Sequence, residues 1–202
     1  MKSTLAIRTA GLIGIVASLF GLCAVITATF LAGNTFSWNK NALSDIGVST
    51  VSLAANVFNI SLVVAGLLNF IFALGFTKAN AKNTLFYLGG LLLVLGGIFL
   101  SLVGVFTEAY GRLHFYVSAG YFGLFSLAII MNGFAFRRAG QAAWGNVSML
   151  TGLIAALVML SGTIVEWHIL LGLGFAVPEL VASLIFSAWT IWMGLNLLTM
   201  DR

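Results

Sequence analysis

Six uninterrupted apolar runs constrain this chain more than any motif in it, because a run of about 20 apolar residues has the length of one helical crossing of a bilayer. They lie at about 9–33, 56–77, 84–106, 114–136, 147–165 and 178–199. None alternates polar with apolar residues at period two. Lipid also offers no partner to an open strand edge, so the runs are helices and not the strands of a barrel. Composition agrees: 61% of the residues are hydrophobic and only 7% charged, where a water-facing surface would need roughly a quarter charged. The expected fold is all-α, a single domain over residues 1–202 built as a polytopic integral membrane bundle of six transmembrane helices.

The positive charges orient the bundle. With a cytoplasmic N-terminus, Lys2, Arg8, Lys78, Lys82, Arg137, Arg138 and Arg202 lie inside, and only Lys40 and Arg112 lie outside. The positive-inside rule favours this arrangement, with both termini cytoplasmic and the cell membrane as the location. Lys2 and Arg8 before an apolar run would suit a signal peptide, but the run is too long for one, and a retained signal anchor is expected. The basic balance thus follows from topology, and no stripe fit for nucleic acid is present. A cysteine introduced at Ser49 should react with an impermeant reagent on intact cells, while one introduced at Asn80 should not; the reverse labelling would overturn the orientation.

The same map gathers the polar chemistry on one face. Asp45, Glu108, Glu166 and Glu179 lie outside together with His114 and His168, leaving only Asp201 inside. Residues His114 and Ser118 are four apart and Tyr121 is seven from the first, so the three share one helix face near the outer surface. Glu108 and Arg112 bracket the preceding turn with the spacing of a surface ion pair. Asp45, in Ser44-Asp45-Ile46-Gly47, is either a cap of a short turn or a ligand or catalytic carboxylate. Glu179 follows Pro178 at a helix start, the position of an acid against the positive end of its own helix dipole. The sequence of residues 34–55 has an amphipathic middle expected to lie in the interface with Trp38 at headgroup level. The outer segment 166–177 starts polar, turns apolar and is expected to dip back toward the membrane.

Within the spans, Asn59, Asn69, Asn132 and Asn196 are expected to hydrogen-bond between helices. The sequon at Asn59 falls inside a helix, where no glycan is expected. Gly90, Gly97 and Gly104 recur every seven residues with Ser101 among them, giving the third span a narrow face for close packing. The steps Gly104 to Glu108 and Gly162 to Glu166, each followed by a histidine, suggest an internal repeat. Lone Cys23 excludes an internal disulfide and is expected to pack as a small apolar residue.

The stretch Asn41-Ala-Leu-Ser-Asp45-Ile-Gly47, then Phe58-Asn59 and Gly66-Leu-Leu, then the run from Ile98 to Ser118 resembles the six-span prokaryotic family called domain of unknown function 998. The resemblance covers about four fifths of the chain. Its most specific parts are Ser-Asp-x-Gly and Gly-Val-Phe-x-Glu-x-x-Gly-x-x-His-x-x-x-Ser. It highlights Ser44, Asp45, Gly47, Glu108, Gly111, His114 and Ser118, with Thr107 standing where many members place proline. It implies the six-span fold and the outer polar cluster, and no activity.

Three functions fit these residues. The least demanding is a lipid-binding protein or accessory subunit of a membrane assembly, with membrane lipids and other membrane subunits as partners and Ser44, Asp45, Glu108, His114, Ser118, Glu166 and His168 as candidate ligand-binding residues. An outer-face lipid hydrolase or transferase is the alternative, with Asp45, Glu108, His114 and Ser118 as catalytic candidates. A zinc version would use Asp45, Glu108, His114 and His168, because two histidines cannot supply a three-histidine site and carboxylates must complete it. A transporter would carry a neutral solute, since every charge lies at a span end and none near mid-membrane.

Overall fold

The structure, a computed structural model, describes residues 2–164 and 171–199. Six long helices carry the chain: α1 (Lys2–Ala32), α2 (Ser52–Ala79), α3 (Thr84–Val105), α4 (Arg112–Arg138), α5 (Ala142–Ile164) and α6 (Ala176–Thr199). All six are long and apolar enough to cross a membrane, as the apolar runs require. No strand occurs among the described residues. The helices outrun several of the apolar stretches, α2 beginning at Ser52 and α4 running from Arg112 to Arg138. Lys78, Arg137 and Arg138 lie in the last turns of α2 and α4, beyond the apolar runs. The two arginines thus sit against the negative end of the α4 dipole.

Each helix packs on the next, and α1 closes the ring against α6; α5 and α6 are the neighbours that pack least closely. In lipid, close approach depends on small side chains. The expected glycine face of α3 turns to α2: a Cβ on Gly90 would strike Thr77, one on Gly97 the backbone of Phe70 and Gly66, and one on Gly104 the backbone carbonyl of Asn59. Gly133 and Gly145 make the same fit between α4 and α5, and Gly11 and Gly194 between α1 and α6. Aromatic rings fill the space between these seams. Phe72, Phe76, Phe125, Phe186 and Trp189 are all buried in one cluster, and the Trp189 indole N–H donates to Ser148 Oγ of α5 at 3.1 Å.

The amides of the spans depart from expectation. Asn69, Asn132 and Asn196 each donate to the carbonyl four residues earlier in their own helix, at 3.0, 2.8 and 3.1 Å. Only Asn59 reaches out, donating to Gly47 O at 2.9 Å. The local carbonyl is always within reach of such a side chain, whereas a partner on another helix must be brought there by packing. Cys23 also differs, its side chain lying on the exposed outer surface of the bundle instead of packing inside.

The connection from α1 to α2 does not simply lie on the surface. A 3-10 helix, Leu43–Val48, buries Leu43 and Ile46 against Ala28, Ala54, Phe58 and Ala176 of the surrounding helices. Trp38 packs at the edge of that cluster, edge-on to Phe36 at 5.1 Å. The amphipathic middle thus buries its apolar face against the bundle. Backbone bonds tie it to the start of α6, from Gly174 N to Trp38 O at 2.7 Å and from Ala176 N to Asn41 O at 2.9 Å.

Candidate functional site

The candidate residues that are described separate into two adjoining units at the end of the bundle where α1 and α3 finish and α2, α4 and α6 begin. The first is the 3-10 helix. Asp45 Oδ2 accepts from Asn41 Nδ2 at 2.8 Å and from the backbone N–H of Ala42 at 3.0 Å. The carboxylate therefore closes the first turn of its own short helix, the capping choice of the two readings open to it. Gly47 follows because its backbone lies against Asn59, where a Cβ would sit 2.5 Å from Oδ1. Ser44 is buried and faces the interior.

Glu179 anchors this unit from the far end of the chain. Its Oε2 accepts from the backbone N–H of Leu43 at 2.6 Å, satisfying a donor at the start of the 3-10 helix that burial would otherwise orphan. Glu179 keeps the expected place in the first turn of its own helix and adds a role 136 residues away. Glu179 is buried, as an acid one turn inside an apolar helix must be if it is to find a partner instead of lipid. That placement was the signal available in the sequence.

The second unit is built on the turn between α3 and α4. Thr107 has φ −62°, the value proline would impose, so the turn keeps the shape that proline would favour. Glu108–Tyr110 form one 3-10 turn, and Gly111 reverses the chain with φ 54°, which a side chain would strain. The reversal folds α4 back so that His114 lies under the end of α3. Its Nδ1 is 2.6 Å from the carbonyl of Phe106; a carbonyl only accepts, so Nδ1 carries the proton. Its Nε2 then faces Ser118 Oγ at 3.2 Å and Glu108 Oε2 at 3.1 Å. Glu108 thus turns to His114 where an ion pair with Arg112 was expected. The imidazole is buried while the Glu108 side chain is 43% exposed, so that pair adds little stability.

Asp45 makes its hydrogen bonds within its own loop, and His114, Ser118 and Glu108 make theirs around the second turn. The two units touch, the 3-10 helices at Leu43–Val48 and Glu108–Tyr110 packing together, without forming one hydrogen-bonded cluster. Among the described residues no three His, Cys, Asp or Glu side chains converge as metal ligands. Glu166 and His168 lie outside the described residues, and with them all of the second half of the suggested repeat but Gly162.

Ser118 and Glu179 are where two spaces meet. A cavity of about 90 Å³ lies inside the ring beneath Leu43 and Ser44, with Ser18, Asn69, Ser183 and Ser187 among its walls. A larger groove of about 400 Å³ opens on the outside of the bundle between α4, α5 and the start of α6. Its walls are apolar, including Phe115, Phe122, Leu127, Ile130, Met159 and Leu160. Ser118 and Glu179 line both spaces. From Phe115 to Ile130 the groove follows α4 for about 22 Å at 1.5 Å per residue, most of the roughly 30 Å hydrocarbon core. It follows the loosest seam of the ring, which no periodicity argument could locate.

Neither the curated proteins nor the solved structures contain a match to the chain. The model of one family, described as "Protein of unknown function (DUF998)", matches residues 15–196, a stretch that takes in both units, the cavity and the groove. This six-helix membrane protein belongs to that family.

Proposed function

We propose that the protein binds a membrane lipid at the outer face of the cell membrane, with an acyl chain in the groove between α4, α5 and α6 and the polar end at Ser118 and Glu179. The observation that carries this reading is the shape and chemistry of the groove. Its volume, about 400 Å³, falls in the range of roughly 300 to 1,000 Å³ usual for ligand sites, and apolar walls ending in a few convergent polar groups are the usual pattern. An apolar cleft on a membrane helix meets lipid tails in any case. A hydroxyl and a carboxyl at one end are what select among lipids, because an apolar partner would leave them unpaired.

Gly123 supplies a clean test. A Cβ built there meets nothing within 4 Å, although Gly123 lines the groove. Gly123→Leu should therefore obstruct the groove with a branched side chain whose Cβ meets no protein atom, and the gain in helix propensity is worth roughly 0.5–1 kcal/mol. Lipid that survives purification, counted by native mass spectrometry, should fall from about one per chain toward none, with the melting temperature unchanged or raised. Wild-type lipid content in that variant would remove the proposal.

A further inference from the structure

We infer that Ser118 is a nucleophile, with His114 as its general base, that accepts the acyl group of a lipid ester lying in the groove. This rests on the lipid-binding reading and names the chemistry at its polar end. The spacing of four residues on one helix brings the two side chains together without further help. Two other observations do not follow from spacing.

The first is the hydrogen bond that Ser118 makes. Hydroxyls within the spans, such as those of Ser18, Ser61, Thr77 and Ser161, return to carbonyls of their own helix. Ser118 instead contacts an imidazole nitrogen at 3.2 Å. Because Nδ1–H is committed to the Phe106 carbonyl at 2.6 Å, Nε2 is the nitrogen left for Ser118 and Glu108; in the neutral form of the ring it presents its lone pair to Ser118, and Ser118 O–H is then the donor. A base held by a third group against a hydroxyl is the arrangement that activates a serine. Here a backbone carbonyl holds the ring where a carboxylate often does.

The second observation is the place of Glu108. Its Oε2 lies 3.1 Å from the same Nε2. It does not orient the ring from Nδ1. Once Nε2 has taken the serine proton, the new N–H has within 3.1 Å a carboxylate that steadies the imidazolium.

The steps balance without a further cofactor. Ser118 Oγ bonds to the ester carbonyl carbon as its proton passes to His114 Nε2, and the carbonyl π pair moves onto oxygen. When the pair returns, the carbon–oxygen bond to the lipid alcohol breaks, and the departing oxygen takes the proton from Nε2. Water from the membrane surface then attacks the acyl-serine, giving its proton to Nε2. That proton returns to Ser118 as the fatty acid leaves.

A long-chain alkyl fluorophosphonate tests this directly, since attack by Ser118 forms an oxygen–phosphorus bond and releases fluoride with the serine proton. Purified full-length protein in nanodiscs should acquire one adduct by intact mass, placed on Ser118 by peptide mapping. Ser118→Ala should acquire none, and His114→Gln should label about 100-fold more slowly or worse, the lower bound for removing a general base. Glu108→Gln should slow labelling less than His114→Gln does, and Thr151→Ala, whose hydroxyl bonds carbonyls of its own helix, should label as wild type. Gly123→Leu should block the long-chain reagent while leaving a methyl-chain analogue reactive. A wild-type protein that carries lipid and takes up no reagent overturns the nucleophile and leaves lipid binding standing; one with neither lipid nor adduct ends both. Labelling of Ser118→Ala at the wild-type rate also overturns the inference, and this variant removes one hydroxyl only, so its folding is not in question.

Discussion

Gly97→Leu is expected to cost the protein most of its folded population in detergent. A Cβ at this position would stand 2.8 Å from Phe70 N and 3.0 Å from both Gly66 O and Phe70 Cα. All three are backbone atoms of α2, so no rotamer change makes room, and the helices must separate. Extra carbons forced into a packed interior cost roughly 1–3 kcal/mol or more, and separation also removes the Ser101 bond to Val63 O at 3.1 Å across the same seam. Gly123→Ala is the matched control, because its Cβ enters open space. The melting temperature of Gly97→Leu should fall well below that of wild type while the control stays level or rises. Equal melting of the two variants would show that the α2–α3 seam does not hold the bundle.

Glu179→Ala should release the Leu43–Val48 segment. Removing the carboxylate leaves the Leu43 N–H without the acceptor it meets at 2.6 Å, and a buried orphan of that kind costs about 1–3 kcal/mol. Glu179→Gln keeps an acceptor oxygen and should lose much less. A cysteine placed at Ser44, a position 8% exposed, should react slowly with maleimide in a Cys23→Ala background and much faster once Glu179→Ala is added. The remaining ties, from Gly174 N to Trp38 O and from Ala176 N to Asn41 O, hold the outer part of the loop in both variants. Unchanged reactivity at Ser44 would mean that those ties alone dock the segment and that Glu179 serves only the groove and cavity.

Both variants follow from contacts of unequal legibility. The glycine face of α3 can be read from a seven-residue recurrence, because a helix places such residues on one side whatever it packs against. Its partner cannot: α2 meets that face with Gly66, Phe70 and Thr77, residues of unequal size that form no small-residue stripe. The pairing of His114 with Ser118 is likewise local, and so is the cap that Asp45 makes on Ala42. Three amides were expected to join helices and instead bond within their own, because a carbonyl four residues back is present in every helix and an interhelical partner is not.

Features that depend on neighbours along the chain are readable in it: six apolar helices, their approximate ends, the small-residue face of α3, and a serine and histidine on one face of α4. Burial in lipid and helix periodicity act residue by residue, so they can be read without knowing where any helix lies. Packing of the whole bundle sets which helices adjoin, that α5 and α6 part to leave a groove, that Phe106 O aims the imidazole, and that Glu179 reaches Leu43. Those depend on how each helix is rotated and on which neighbour it meets. Between lipid-exposed helices that choice rests on the fit of side chains at close range, a property of pairs of surfaces that no single stretch of sequence contains.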